Sequence, residues 1–392
     1  MEMKAIKEMM QAYEPYQIEM RRWFHAHPEL SGKEYETSAK IKEELDKMGI
    51  PWVDCGLETG VLATIEGEQP GRTILLRGDM DALAVEEETG ADYASVNKGV
   101  MHACGHDCHV SMMLTAAKML NDMKADLPGT VKMAFQPSEE NGQGAKSMIA
   151  QGAMDGVDGC FSMHVWADTP AGKVSCPAGP RMGGAGHFTV HVHGKGGHGA
   201  APHQCVDSLV ATAAIVSSLQ TIVSRNVAPM EPAVVTIGRM EAGTQWNIVP
   251  EEGVIEGTIR CFSDEVYDNM PIWIERVAKE TAAAYGATAT LDYEPIVPPV
   301  NNEPGMAARV REVAKKVMGE DANTDSAATL VAEDFTLFAR KAPGALAFLG
   351  IANESCGAIW PQHSPRYCVD ESALIHGAML YVQVALDHNK EL

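Results

Sequence analysis

Two hydrophobic periods alternate along this chain. From Glu34 to Lys47 the apolar residues Ala39, Ile41 and Leu45, with Met48 just beyond, recur at near-helical spacing, and the run stops at Gly49. That pattern predicts an amphipathic helix with a glycine stop. Val61–Ile65 and Thr73–Leu76 are short apolar runs that predict strands, Val110–Met123 predicts a helix, and Val131–Phe135 returns to strand. Helix and strand alternating in this way predict an α/β layered domain whose loops gather along one sheet edge. Around Gly179–Gly184 the composition turns to glycine and proline, which marks a boundary. Beyond it, His187–His193 alternates as a strand does, 206–224 and 265–285 read as helices, and Ala233–Ile237, Gly253–Arg260 and Thr288–Tyr293 as strands. The expectation is an α+β unit inserted over 184–296 into a first domain made of 1–183 and 297–392.

Composition narrows the partners. A formal net charge of −22 argues against nucleic acid or an anionic membrane surface. No segment approaches the ~20 apolar residues that span a bilayer, and the Met1–Glu8 stretch has no secretory apolar core, so a cytoplasmic protein is expected. The nine cysteines are odd in number and scattered, which reads as reduced thiols, most of them packing residues.

Candidate chemistry concentrates in Gly99-Val-Met-His-Ala-Cys-Gly-His-Asp-Cys-His109. Cys104 and His106 stand two apart across Gly105; on an extended or tightly turned backbone such side chains share one side and can grip one metal ion. The apolar run 131–135 leads into Gln136-Pro-Ser-Glu-Glu140, and Gly159–Met163 leads into His164, so ligand-type residues follow strands. His363 is fixed between Pro361 and Pro365. Adjacent Glu139 and Glu140 on an extended backbone point to different sides, so that one can bind metal while the other handles a proton. Taken singly, each pattern also has an ordinary structural reading: a chance Cys-x-His, a solvated acidic pair, a strand-end turn for Asp79 and Asp81.

The residues together resemble the metal-dependent aminoacylase and carboxypeptidase family, in its amidohydrolase branch of hippurate hydrolases and indole-acetyl-amino-acid hydrolases. The matching segments run nearly end to end: Phe24-His-Ala-His-Pro-Glu-Leu30, Leu76-Arg-Gly-Asp-Met-Asp-Ala-Leu83, Cys104-Gly-His-Asp107, Phe135-Gln-Pro-Ser-Glu-Glu140, Gly194-Lys-Gly-Gly-His198 and Trp246-Asn-Ile-Val-Pro250. The resemblance implies Cys104, His106, Glu140, His164 and His363 as ligands of one or two divalent ions (zinc, manganese or cobalt), with Glu139 as general base. Many relatives have His-x-Asp where this chain has Asp79-Met-Asp81, and Asp where it has Cys104. The amidohydrolase branch resembles this chain at both places, so the ligand set reads as rearranged, with Asp81 orienting a ligand or the water and the role of Asp79 open.

By the same resemblance the fold is a metallopeptidase-type α/β catalytic domain, and the inserted unit is a lid or dimerisation domain, giving a homodimer. His198 in its glycine-rich turn would stabilise the oxyanion, often in the site of the other subunit, and Asn247 and Arg260 would contact substrate, an Arg fork matching a free α-carboxylate. The implied activity is hydrolysis of N-acyl or N-aroyl L-amino acids. A dipeptidase or aminopeptidase of the same broad family is the alternative; from another class, a catalytically silent metal-binding scaffold. His187, His191 and His193 share a strand face and match no metal motif, which makes them surface or interface residues.

Overall fold

The computed structural model describes residues 3–390. The chain divides into two compact units, Met1–Gly179 with Asn301–Ala327 and Asp334–Leu392, and Pro180–Val300 with Ala328–Glu333.

The first unit opens with helix α1 (Met3–Ala26), which buries Ile6, Met10, Gln17, Met20, Arg21 and Phe24 along one stripe. The apolar period does not announce it, because four of those six residues are polar or thioether and Pro15 sits inside the helix on its exposed side. Helix α2 (Tyr35–Met48) ends where expected: Gly49 is left-handed at φ 67°, and its N–H closes on the carbonyls of Leu45 and Asp46.

Strands β1 (Trp52–Asp54), β2 (Val61–Glu66), β3 (Gln69–Asp79), β4 (Pro128–Gln136), β5 (Gly159–Pro170) and β6 (Val174–Ser175), with the late strand Gly344–Ala352, form one mixed sheet. Its order is β1-β2-β4-β3-β5, then Gly344–Ala352, then β6. β4, β3, β5 and the late strand are parallel, and β1, β2 and β6 join antiparallel at the flanks. Central parallel strands are covered on both faces. Leu75 and Leu76, neighbours on opposite faces of β3, are accordingly both fully buried, as are Leu346 to Leu349 on the late strand. Helix α3 (His106–Asp122) and the helix Leu374–Asn389 pack against β3 and against each other.

Register fixes the site. β3 and β4 run in step to their last residues, Asp79 opposite Gln136, so the loops after both leave from one carboxyl edge. β5 pairs with β3 only as far as Ser162 opposite Arg77, yet continues beside the late strand with His164 opposite Phe348. His164 therefore lies inside a strand rather than at its end, two residues past the point where β3 has left it.

The second unit is an antiparallel sheet in the order Ala233–Ala242, Glu252–Cys261, Gly184–His193, Thr288–Val297, with helices Ser208–Arg225 and Asp264–Ala284 packed on one face. Phe188, Val190 and Val192 face the helices with Ile255, Ile259, Ile215 and Ile274. His187, His191 and His193 take the alternate, more exposed face. Residues 328–333 were expected in the first domain; they belong to this unit because Thr329 donates to the Arg181 carbonyl at 3.2 Å and Gly183 donates to that of Val331 at 3.0 Å. One expectation about membranes is also corrected. Ser208–Arg225 is long and apolar enough to cross a bilayer by length and composition, and here it lays Ala211, Ile215, Leu219 and Ile222 into the unit's core. None of the nine cysteines forms a disulfide.

Candidate metal centre and active site

Gly105 makes the thiol and imidazole converge. Its φ is +94°, and a Cβ there would lie 2.4 Å from Val165 Cγ2 and 2.6 Å from Tyr367 Oη, so only glycine fits the turn between Cys104 and His106. The helix begins at His106 itself, four residues earlier than its apolar period predicts, because the polar residues His106, Asp107 and His109 of the first turn are all buried.

Cys104 Sγ lies 3.4 Å from His164 Nε2. His164 Nδ1 donates to its neighbour's carbonyl, Val165 O, at 2.7 Å, so the neutral ring keeps its lone pair on Nε2, toward the thiol. His106 Nδ1 is bonded to Asp81 Oδ1 at 3.2 Å. Its Nε2 is buried without a partner, 3.8 Å from Asp79 Oδ2 and 4.0 Å from Glu140 Oε1. Glu140 Oε1 is likewise buried without a hydrogen-bond partner, 3.6 Å from His363 Nε2. His363 reaches in from a left-handed backbone, φ +66°, with its N–H on Ala103 O at 2.7 Å.

Donor atoms of Cys104, His106 and His164 all lie within 4.8 Å of one another, as do those of Cys104, Glu140 and His363, and those of His106, Glu139 and Glu140. Of the buried side-chain atoms without a hydrogen-bond partner among the described residues, His106 Nε2 and Glu140 Oε1 are the two whose residues fall in these donor sets. Overlapping sets of thiol, imidazole and carboxylate around two such atoms fit divalent cations. Burial pushes the Cys104 thiol well above its usual range, so a cation held by its thiolate would displace the thiol proton; burial also raises Glu140.

Supporting residues fix these donors. Asp81 Oδ2 accepts from Ser31 Oγ at 2.7 Å and from the Glu140 amide at 3.1 Å, while its other oxygen holds His106, so one carboxylate orients a ring and a loop. Asp79 accepts from Arg77 Nη1 at 2.6 Å and is bonded to His109 Nδ1. His109 Nε2 accepts the Val165 N–H at 2.9 Å, which places the ring proton on Nδ1 and commits both nitrogens. Asp79, His106 and His109 thus lie at metal-binding distance, but two of the three are already spent on protein partners. Burial opposes a charge on Asp79, yet Arg77, then His106 and His109, hold its carboxyl well below the usual range. Arg77 also reaches Gln136 Oε1 at 2.8 Å and Asp334 Oδ1 at 2.7 Å. Sequence reasoning passed over His109, Arg77, Gln136 and Asp334; the available signal was a lone Arg closing the apolar run Ile74–Leu76.

The backbone around Glu139 and Glu140 is not extended. Ser138 is left-handed at φ +52°, and Gly142 N–H closes a turn on Glu139 O at 2.8 Å, so a reversal, not strand alternation, separates the two carboxylates.

Within the second unit, a two-stranded ribbon pairs His198 with Ile248, and Asn247 stands in the turn just before that strand, its carbonyl accepting from the Gly199 N–H at 2.9 Å. His198 Nδ1 accepts from the Ala200 amide at 3.0 Å, which leaves Nε2–H as an exposed donor. Arg260 is not brought to them. The strand Glu252–Cys261 carries it to the end opposite Glu252, about 26 Å away at 3.3 Å per residue. Its Nη1 turns back onto Thr258 Oγ1 and Ile259 O.

A thiol-imidazole-carboxylate centre at the carboxyl edge of a parallel sheet is that of a metallohydrolase. The profile of Peptidase family M20/M25/M40 matches residues 75–387. The chain is 38% identical to thermostable carboxypeptidase 1 of Saccharolobus solfataricus, over 98% of both chains. It is 38% identical to N-acetyl-L-cysteine deacetylase of Bacillus subtilis, over 95% of this chain and 89% of that one. A Bacillus subtilis protein described as a dinuclear metal binding peptidase of the M20 family superposes with a TM-score of 0.86 at 34% identity, covering 97% of this chain and 100% of that one. The chain belongs to the M20 peptidase family, in its amidohydrolase branch, and is a metal-dependent hydrolase of amide or peptide bonds.

Proposed function

We propose that this protein hydrolyses the amide bond of N-acyl or N-aroyl L-amino acids, releasing a carboxylic acid and the free amino acid. The observation that carries the reading is the pair of unpartnered buried atoms, His106 Nε2 and Glu140 Oε1, with Glu139 beside them; the deacetylase among the relatives supplies the substrate class. Cys104, His106, Glu140, His164 and His363 would hold one or two divalent ions, zinc, manganese or cobalt. When bound, such ions acidify water and polarise the amide carbonyl. Glu139 takes the proton from the attacking water and delivers it to the leaving nitrogen, one carboxylate serving as base and then acid. Asp81 keeps His106 in a single ring orientation throughout. His198 Nε2–H stabilises the oxyanion, supplied by a second copy of the chain in a homodimer, and Asn247 bonds the substrate carbonyl or carboxylate. Arg260 is the weaker substrate contact, since its guanidinium is turned onto its own strand.

The test is hydrolysis of hippurate and a panel of N-acetyl amino acids by metal-counted protein, beside unblocked dipeptides. Release of free amino acid from the acylated panel supports the reading. Turnover of dipeptides alone would move the assignment to a dipeptidase.

A further inference from the structure

Glu34 is fully buried next to the site, and no cation pairs with it among the described residues. Its carboxylate is instead surrounded by donors: Gly32 N–H at 2.9 Å, Ser138 N–H at 2.9 Å and Ser138 Oγ at 3.5 Å on Oε1, and Thr59 Oγ at 2.8 Å on Oε2. Burial raises the Glu34 carboxyl, a cost that these donors only partly offset. A carboxylate kept in such a place is there for what it holds.

It holds a strained residue. Ser138 is one of three non-glycine residues with positive φ among the described residues, at +52°, a region that L-residues enter only at a cost. Glu139 and Glu140 follow it directly. The amide on the near side of Glu139, that of Ser138, is gripped by Glu34; the amide on its far side, that of Glu140, is gripped by Asp81. The residue read here as the base therefore sits between two peptide N–H groups, each anchored by its own buried carboxylate.

We propose that Glu34 is a positioning residue for the Glu139–Glu140 pair: its carboxylate holds Ser138 in the left-handed conformation and so sets the directions in which the next two carboxylates leave the backbone. The proposal rests on the roles given above to Glu139 and Glu140. A carboxylate is required because four donors converge on two oxygens. The amide of a glutamine would turn an NH2 toward one of them.

The conformational route has a specific signature, since glycine enters φ +52° unaided. Holoenzyme carrying Glu34→Gln, Ser138→Gly or both is compared with wild type in kcat, in KM, and in the affinity of chelator-stripped protein for zinc by direct titration. Glu34→Gln should lower kcat about 10–100-fold with KM within ~3-fold, and weaken zinc by about 10-fold, the range seen when support of a metal site is lost. Ser138→Gly alone should stay within ~2-fold. In the double variant Ser138→Gly should restore most of both losses, which a merely structural role for Glu34 would not allow. Glu34→Asp, which keeps the charge but withdraws it by one methylene, enters the same cycle if Glu34→Gln is insoluble. A Glu34 variant indistinguishable from wild type, or a double variant no better than the single one, overturns the proposal. Zinc affinity needs no substrate, so an inactive wild type would count against the proposed reaction while the zinc cycle still judged Glu34.

Discussion

At the scale of single residues, the division of labour between two neighbouring carboxylates is the most exposed part of the mechanism. Glu140 falls in one donor set with Cys104 and His363 and in another with His106, whereas Glu139 shares only the second of these two sets. Glu139→Gln should therefore keep its metal and lose turnover by about 10²–10⁴-fold, the usual share of acid–base catalysis. Glu140→Gln should lose metal first. Elemental analysis beside the rate separates the two; equal metal loss would show that the pair works as one. Cys104 offers a second measurement. Ligation would hold it as a shielded thiolate, so an alkylating reagent should label it slowly in the holo protein and quickly after chelation, with buried Cys108 unchanged as control. Such residues were legible from sequence because donor types cluster near glycine, proline and strand ends. The anchors were not: His109 and Arg77 act through partners 30 and 257 positions away, Asp79 and Asp334, and nothing local marks such pairs.

At the scale of elements, the turn into α3 carries the geometry. Gly105→Ala places a methyl group against Val165 and Tyr367 at a φ that alanine avoids. Because the native conformation is incompatible with the new residue, the cost should exceed ~1 kcal/mol, and both Cys104 and His106 should shift. A fall in melting temperature together with substoichiometric metal is expected; full metal content would mean that the turn adapts. Periodicity found the middle of α2, of α3, of β2 to β4 and of the inserted unit's main strands and helices, missed ends governed by other forces, and left the helices Pro304–Met318 and Leu374–Asn389 and the strand Gly344–Ala352 unread. α2 ends at Gly49 as read, since its stop is a local backbone preference. α3 starts at His106 because buried polar contacts, not apolar spacing, draw its first turn inward. α1 escaped because its stripe includes Gln17 and Arg21, the latter paired to Asp107 at 3.1 Å, a partner 86 residues on.

For the whole molecule, pairing of two chains makes a quantitative expectation. If His198 is donated by a second copy, inactive His198→Ala mixed with inactive Glu139→Gln should recover about a quarter of wild-type activity, since about half the dimers are mixed and each has one complete site. No recovery despite demonstrated subunit exchange would place His198 within its own chain's chemistry or outside the chemistry altogether. Another consequence follows from the order of the central sheet. The strand Gly344–Ala352 lies between β5 and β6, and His363 follows it, so the flank of β5 and the last of the implied ligands are both supplied late. During synthesis at the ribosome, the nascent chain will have exposed β5 as an unpaired edge for nearly half its length before the covering strand emerges. Chaperone dependence should therefore concentrate in that interval. A chain stopped before Gly344 should aggregate through that open edge rather than persist as a soluble, metal-poor enzyme.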